Sequence, residues 1–111
     1  MSYTIETITR VTGATRKGNA PASIDWILTD SRSLCFPEES LFFALKTPRN
    51  DGHKYISNLY SRGVRNFVVN ELPSKIETFS NTNFLVVKNT LEALQKLATW
   101  HRDQFDIPII G

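Results

Sequence analysis

The residues best suited to bind a ligand lie on either side of one short apolar segment. Polar residues Thr29 to Arg32 come before it, and the polar run Lys46 to His53 comes after it. Between them, Leu41 to Leu45 is apolar at every position, which is typical of a strand covered on both faces. Because each polar cluster adjoins a strand, we expect both to lie near one edge of a sheet and to bind a ligand there.

Several polar residues in this stretch also have simple structural interpretations. Asp30 and Ser31 follow a predicted strand, and short side chains of this kind favour a turn by bonding nearby backbone groups. Asp51 is expected to cap the next helix, and Gly52 is expected for its backbone freedom. His53 then falls in the first helical turn, where we expect a structural or solvent-exposed role rather than a catalytic one.

The rest of the chain predicts alternating strands and helices around this stretch. The predicted strands are Ile24 to Leu28, Leu41 to Leu45, Asn66 to Asn70 and Phe84 to Val87. The predicted helices cover 4–12, 52–62 and the segment between Asn89 and Pro108, with polar connections at 14–22, 33–40 and 71–83. This alternation predicts an α/β domain: a small three-layer fold with a mixed, largely parallel sheet and flanking helices.

The last predicted helix carries the clearest signals. Asn89 followed by Glu92 resembles a capping box, and Pro108 prevents the helix from continuing. Leucines recur at steps of three and four residues, and His101 falls on the same face. We therefore expect His101 to be packed among leucines.

Composition excludes several classes of protein. The chain has 111 residues, the size of one domain, and its net charge of +2 comes from scattered residues, which argues against nucleic-acid binding. Its single cysteine, Cys35, excludes an internal disulfide, and two distant histidines do not form a familiar metal site. No apolar run approaches the roughly 20 residues of a membrane span, and no secretory signal is visible. We expect a soluble, cytoplasmic protein without a membrane partner.

The end of the chain predicts a larger protein. Ile109 and Ile110 continue an apolar, extended segment that reaches Gly111. Because such a strand needs covering, we expect residues 1–111 to be one domain cut from a longer chain.

The ordered segments together resemble the N-terminal domain of the Mur ligases, the ATP-dependent amide ligases that build the peptide of bacterial peptidoglycan. The segments are TDSR (29–32), LFFAL (41–45), NDGHKYI (50–56), SRGVRNFVVNE (61–71), FLVVKNTLEALQKLATWHR (84–102) and IPIIG (107–111). The chain departs from the family at 36–40, where a Pro-Gly-Asp turn is usual, and near Leu59, where a small alanine is usual.

The resemblance implies a function that this chain performs only in part. Residues 1–111 would be a single domain that binds the UDP-linked muropeptide substrate, truncated just before the ATP-binding central domain. The sequence is most similar to the branch that adds D-alanyl-D-alanine, and the branch that adds the third amino acid is the alternative. The full-length ligase would use ATP and Mg²⁺ through an acyl phosphate, with PLP only if a racemase domain is fused. The chain has no GxxxxGK[ST] phosphate loop, so we expect no catalytic residues, cofactor or activity in it alone.

The same resemblance assigns the contacts with the UDP moiety. These residues are Thr29, Ser31, Arg32, Lys46, Thr47, Arg49 and Asn50. Basic side chains can bind the diphosphate through charge-assisted hydrogen bonds, and a hydroxyl and an amide can match the polar groups of uracil. The start of the helix at Gly52 is expected to add backbone N–H donors.

A stand-alone α/β binding module, with no enzyme attached, is the competing interpretation. The encoded residues after Gly111 distinguish the two, because a glycine-rich phosphate loop supports the ligase and a stop codon removes it.

Overall fold

The computed structural model describes residues 3–20, 22–29, 36–46, 51–74 and 76–105, with side chains of the last helix described through Arg102. Five of the seven predicted UDP-binding residues lie outside the described residues: Ser31, Arg32, Thr47, Arg49 and Asn50. The predicted turn at Asp30 and the apolar end at 107–111 lie outside them as well.

A five-stranded sheet forms the centre of the domain. In chain order the strands are β1 (Tyr3–Thr4), β2 (Thr15–Lys17), β3 (Ser23–Ile24), β4 (Trp26–Leu28), β5 (Ser40–Phe43), β6 (Asn66–Val69) and β7 (Asn83–Val86). The central sheet has the order β2-β7-β6-β5-β4, and β1 pairs with β3 in a small sheet of its own. Strands β4 to β7 run parallel, whereas β2 pairs with β7 in the antiparallel sense. The predicted mixed, largely parallel sheet is therefore confirmed.

Within the described residues, three α-helices flank the sheet, close to where the sequence predicts them. They are α1 (Ile5–Thr12), α2 (Ile56–Ser61) and α3 (Thr90–Phe105), and short 3-10 turns cover Pro37–Glu39, Gly52–Tyr55 and Ile76–Thr78. At the end of α1, Gly13 adopts a left-handed conformation with φ +71°, which glycine tolerates best. At the start of α3, the Asn89 side chain accepts a hydrogen bond from Glu92 N at 3.0 Å, which confirms the predicted cap.

Buried side chains cover both faces of the sheet. Leu41 and Phe43 point to the face packed by α1 and α3, and Phe42 and Ala44 point to the face packed by α2. All four residues of β5 are buried, and the strand lies inside the sheet rather than at its edge. This alternation produces the predicted three layers, because each face of the parallel sheet needs an apolar cover.

Two predicted segments need correction. The polar connection predicted at 14–22 contains β2, an edge strand whose Arg16 pairs with Leu85. Three residues with polar side chains give no period that reveals a strand, so the pairing depends on a distant partner. The strand predicted from Ile24 to Leu28 is divided at Asp25, whose N–H donates to Glu39 O at 2.9 Å, and its two halves join different sheets.

The expectation for His101 is wrong. Its side chain is exposed, and its Nδ1 lies 2.5 Å from the Tyr3 hydroxyl. The two rings meet edge to face, with centroids 5.4 Å apart. His101 does share a face with Leu94 and Leu97, but here that face meets the small β1–β3 sheet and leaves an open groove. None of the described helices is long and apolar enough to cross a membrane.

Candidate functional site

The carboxyl ends of the four parallel strands meet at one edge of the sheet, which we call the carboxyl edge. Thr29 follows β4, Lys46 comes shortly after β5, and Asn70 follows β6. Open parallel sheets bind ligands outside these ends, because the connecting loops converge there. The carboxyl edge is therefore the candidate site.

The structure places both described members of the predicted UDP-binding set at this edge. Thr29 and Lys46 are exposed, and they follow neighbouring strands, since Leu28 of β4 pairs with Phe42 of β5. Thr29 begins one predicted cluster and Lys46 begins the other. The described ends of the two clusters thus reach the same edge.

The described residues on either side of segment 47–50 lie next to each other. Lys46 and Asp51, the residues on either side of it, form an isolated antiparallel bridge. Next to this bridge, Gly52 N donates to Leu45 O at 2.7 Å. Further back, Ala44 N donates to Val68 O at 2.9 Å, which ties the same segment to β6. The bridge therefore joins the two ends of segment 47–50, and Lys46 of the predicted UDP-binding set forms one side of it.

Gly52 is required by the closeness of these two segments. A Cβ atom on it would lie 2.9 Å from Leu45 N and 3.0 Å from Ala44 Cα. Both are backbone atoms, which cannot move aside as a flexible side chain can. The expectation that Gly52 serves backbone geometry is therefore confirmed, although the reason is close approach rather than an unusual φ angle.

Asp51 and His53 connect this loop to the next strand. The Asp51 Oδ1 atom accepts a hydrogen bond from His53 N at 3.0 Å and lies 2.5 Å from His53 Nδ1. On the other side of the ring, Asn70 N donates to His53 Nε2 at 3.2 Å. Because Nε2 accepts, the ring proton resides on Nδ1, which donates to Asp51. The ring thus bridges Asp51 and the end of β6.

The same contacts determine the charge of Asp51. The hydrogen bond from His53 N, and then that from the His53 ring, hold the pKa of the Asp51 carboxyl below its usual value, and Lys46 adds a favourable charge interaction. Asp51 is therefore a stable carboxylate and acts as the predicted cap.

The expectation that the helix start donates N–H groups to a ligand is wrong. The N–H of Gly52 donates to Leu45 O, that of His53 to the Asp51 side chain, and that of Lys54 to Asp51 O. All three donors are used within the chain. Positive charge for an anionic ligand must therefore come from side chains, of which Lys46 is described and Arg32 and Arg49 are predicted.

The structure also shows a polar network that the sequence analysis missed, at the opposite, amino edge of the sheet. Arg16 Nε donates to Asn83 Oδ1 at 3.1 Å, so Asn83 Nδ2 must be the donor to Asn66 Oδ1 at 2.9 Å and to Ala20 O at 2.8 Å. The signal for this network in the sequence was an asparagine at the first position of two strands that pair, Asn66 in β6 and Asn83 in β7. This network links Arg16 of the edge strand β2 to β6 and β7.

Metal ligands are not clustered in the part of the chain that the structure describes. No group of three or more His, Cys, Asp or Glu side chains there could hold a metal ion. Among the described residues, the carboxyl edge thus presents exposed lysine side chains, Lys46 after β5 and Lys88 after β7, and no cluster of metal ligands.

Comparison with known proteins identifies relatives of one kind. The chain is 36% identical over 89 residues to the UDP-N-acetylmuramoyl-tripeptide–D-alanyl-D-alanine ligase of Haemophilus influenzae, covering 80% of the chain and 18% of that protein. It is 40% identical over 90 residues to the ligase of the same name from Synechocystis, covering 79% of the chain and 18% of that protein. A UDP-N-acetylmuramoyl-L-alanyl-D-glutamate–2,6-diaminopimelate ligase from Phocaeicola vulgatus is 33% identical over 82 residues, covering 74% of the chain and 16% of that protein. No protein-family model matches.

The fold agrees with these sequence matches. A crystal structure of MurF from Acinetobacter baumannii superposes with a TM-score of 0.80 at 25% identity, covering 94% of the chain and 22% of that structure. The chain therefore belongs with the Mur ligases, as a homologue of their N-terminal region. It spans less than a fifth of the length of the curated relatives named here.

Proposed function

We propose that this chain is the domain that binds UDP-MurNAc-peptide in an ATP-dependent ligase that adds D-alanyl-D-alanine to UDP-MurNAc-tripeptide. The observation that carries the proposal is the paired stem at the carboxyl edge, which holds Lys46 and Asp51 opposite each other where β5 ends. Relatives named for this reaction match most of the chain, which supports the choice of substrate.

The proposed site binds the UDP end of the substrate between two groups of residues. The first group is Thr29, Ser31 and Arg32, and the second is the segment 46–50. Arg32, Lys46 and Arg49 pair with the diphosphate, while Ser31 and Asn50 match the polar groups of uracil. Asp51, held as a carboxylate, lies beside Lys46 and keeps the anion toward the basic side chains.

This domain contributes positioning to the reaction. Binding of the UDP group, which does not react, orients the peptide end of the substrate, which does. The binding energy of the UDP group thereby lowers the activation barrier of the reaction. In the whole ligase, ATP and Mg²⁺ would supply the activation of the substrate carboxylate for its reaction with D-alanyl-D-alanine. We assign that chemistry, a cytoplasmic location and the remaining domains to the longer protein.

The ligase that adds the third amino acid is the second candidate, because a diaminopimelate ligase also matches 74% of the chain. Both enzymes would bind the same UDP group, so binding of a UDP-linked substrate to this domain does not distinguish the two candidate functions. Product formation by the full-length protein, with either D-alanyl-D-alanine or diaminopimelate as the amine, decides between them.

Titration calorimetry with the UDP-linked muropeptide tests the proposed site. We expect weak, saturable binding to the chain, lost in a Ser31→Ala, Asn50→Ala double variant and weakened by Lys46→Ala. Lys96→Ala is the matched control, because it removes the same charge from an exposed position on α3. Equal heats from wild type and the double variant would count against the site.

A further inference from the structure

We propose that the amino edge of the sheet holds a second binding site, a polar pocket in which the side-chain amide of Asn66 donates to the carboxylate of a small ligand. Asn66 is the first residue of β6, so this pocket lies at the opposite end of the strands from the carboxyl edge. The proposal therefore does not depend on the proposed function of that edge.

The Asn66 amide is the observation that points to a ligand. Asn66 is only 1% exposed, and its Nδ2 atom is buried without a hydrogen-bond partner among the described residues. Buried donors in folded proteins are nearly always bonded, because an unpaired donor loses its hydrogen bond to water and gains none in return. An acceptor that enters the pocket and bonds Nδ2 would remove this cost.

Neighbouring hydrogen bonds fix the direction in which the Asn66 amide donates. Arg16 Nε donates to Asn83 Oδ1 at 3.1 Å, and Asn83 Nδ2 donates to Asn66 Oδ1 at 2.9 Å. A flipped Asn66 amide would place two donors against each other, so its Nδ2 atom must face away from Asn83. The chain of donors thus begins on the positive guanidinium of Arg16 and ends on Asn66 Nδ2. Because such chains polarise successive groups, the last donor is strengthened and favours a negatively charged acceptor.

The pocket beside Asn66 is large enough for a small molecule. Its volume is about 440 Å³, and ligand pockets typically measure roughly 300–1,000 Å³. One ordered water, which takes up about 30 Å³ in the liquid, would occupy only a small part of it. Asn19, Asn81 and Asn83 also line the pocket, and their amides are groups that can bond the oxygen atoms of a ligand.

The charges around the pocket favour a ligand with one negative charge. Arg65 lines the pocket, and its Nη1 atom donates to Tyr60 O at 2.7 Å and to Val64 O at 3.0 Å, which holds the guanidinium in place. Arg65 forms no ion pair with another described residue. Glu38 also lines the pocket, but it is exposed, so solvent and salt weaken its repulsion of an anion. A carboxylate matches this setting, because it is an acceptor for both amide and guanidinium donors.

A titration with sodium acetate, followed in ¹H–¹⁵N spectra of the chain, tests the site without any substitution. Acetate is the probe, and sodium chloride at the same ionic strength is the reference. We expect saturable shifts at the side-chain amides of Asn66, Asn81 and Asn83, largest at Asn66 Nδ2. If acetate and chloride have the same effect on Asn66, its amide bonds only water, and the proposal is overturned.

Replacing Asn66 with aspartate tests the donor itself. Asn66→Asp keeps an oxygen that accepts from Asn83 and puts a carboxylate oxygen where the unpaired donor was. We expect acetate affinity to fall by about tenfold or more, because a charge-assisted bond is lost and a like charge takes its place. Asn58→Asp is the matched control, since it makes the same change at an exposed position on α2 and should leave acetate affinity unchanged. Equal acetate affinities in the two variants would contradict the proposal.

A second substitution applies if circular dichroism shows that Asn66→Asp does not fold. Arg16→Gln keeps an N–H donor at the position of Nε but removes the positive charge at the start of the chain of donors. We expect this variant to bind acetate several-fold more weakly than wild type. Unchanged acetate affinity in a folded Arg16→Gln variant would show that Arg16 does not strengthen the Asn66 donor and would overturn the proposal.

Discussion

Replacing Gly52 with alanine tests whether the two segments at the carboxyl edge are as close as the structure shows. The new Cβ would lie 2.9 Å from Leu45 N and 3.0 Å from Ala44 Cα, closer than such contacts normally occur. Gly52 is buried, and its N–H donates to Leu45 O at 2.7 Å. If the two segments moved apart to make room for the Cβ atom, that hydrogen bond would lengthen.

The size of the effect follows from these two consequences. Overpacking by one carbon typically costs about 1–3 kcal/mol, and a lost hydrogen bond costs roughly 0.5–1.5 kcal/mol. We therefore expect Gly52→Ala to lower the free energy of unfolding by about 2–4 kcal/mol. At roughly 4 °C per kcal/mol for a domain of this size, the melting temperature should fall by about 8–16 °C.

Urea unfolding followed by circular dichroism measures this loss, with Gly13→Ala as the control. Gly13 has nothing within 4 Å of its virtual Cβ, so its substitution reports only the strain of a left-handed φ, about 1–2 kcal/mol. Ordinary surface substitutions change the free energy of unfolding by up to about 0.5 kcal/mol. If Gly52→Ala changed it by no more than that, the close approach of the two segments would be refuted.

Two further predictions concern the Asp51 carboxylate and the core. The pKa of Asp51 is lower in the folded chain than in the unfolded chain, so its contribution to stability is present above about pH 4 and is lost as pH falls through the folded pKa. The urea midpoint of wild type should therefore drop more between pH 7 and pH 3 than that of Asp51→Asn, and equal drops would contradict this assignment. Phe67→Ala should cost about 3–5 kcal/mol, because Phe67 is fully buried and stacks on Phe84. Phe36→Ala, at a site 53% exposed, should cost far less, and similar urea midpoints for the two variants would argue against the described core.

Local signals in the sequence predict most of the regular structure. The spacing of Ile5 and Ile8, followed by Gly13, predicts α1, and the apolar run at Leu41 predicts a strand buried on both faces. Each of these signals acts over a few residues, through hydrophobic periodicity or a single cap. The β2 strand lacks such a signal, because what defines it is pairing with the distant β7.

The same distinction applies to the candidate site. The capping role of Asp51 is local and follows from the sequence, whereas the bond between His53 and Asn70 joins positions seventeen residues apart and does not. The expectation that backbone N–H groups near Gly52 bind a ligand is wrong for a related reason. Whether a backbone N–H is available to a ligand depends on which carbonyl lies opposite, and here Leu45 O occupies that place.

Mapping UDP onto the chain by ¹H–¹⁵N chemical-shift perturbation tests whether the carboxyl edge binds the nucleotide. We expect saturable shifts that are largest around Thr29, Lys46 and Gly52, with little change at Asn19 and Asn81 beside the amino edge. No saturable shifts, or shifts centred on the amino edge, would contradict the assignment of the carboxyl edge as the nucleotide site.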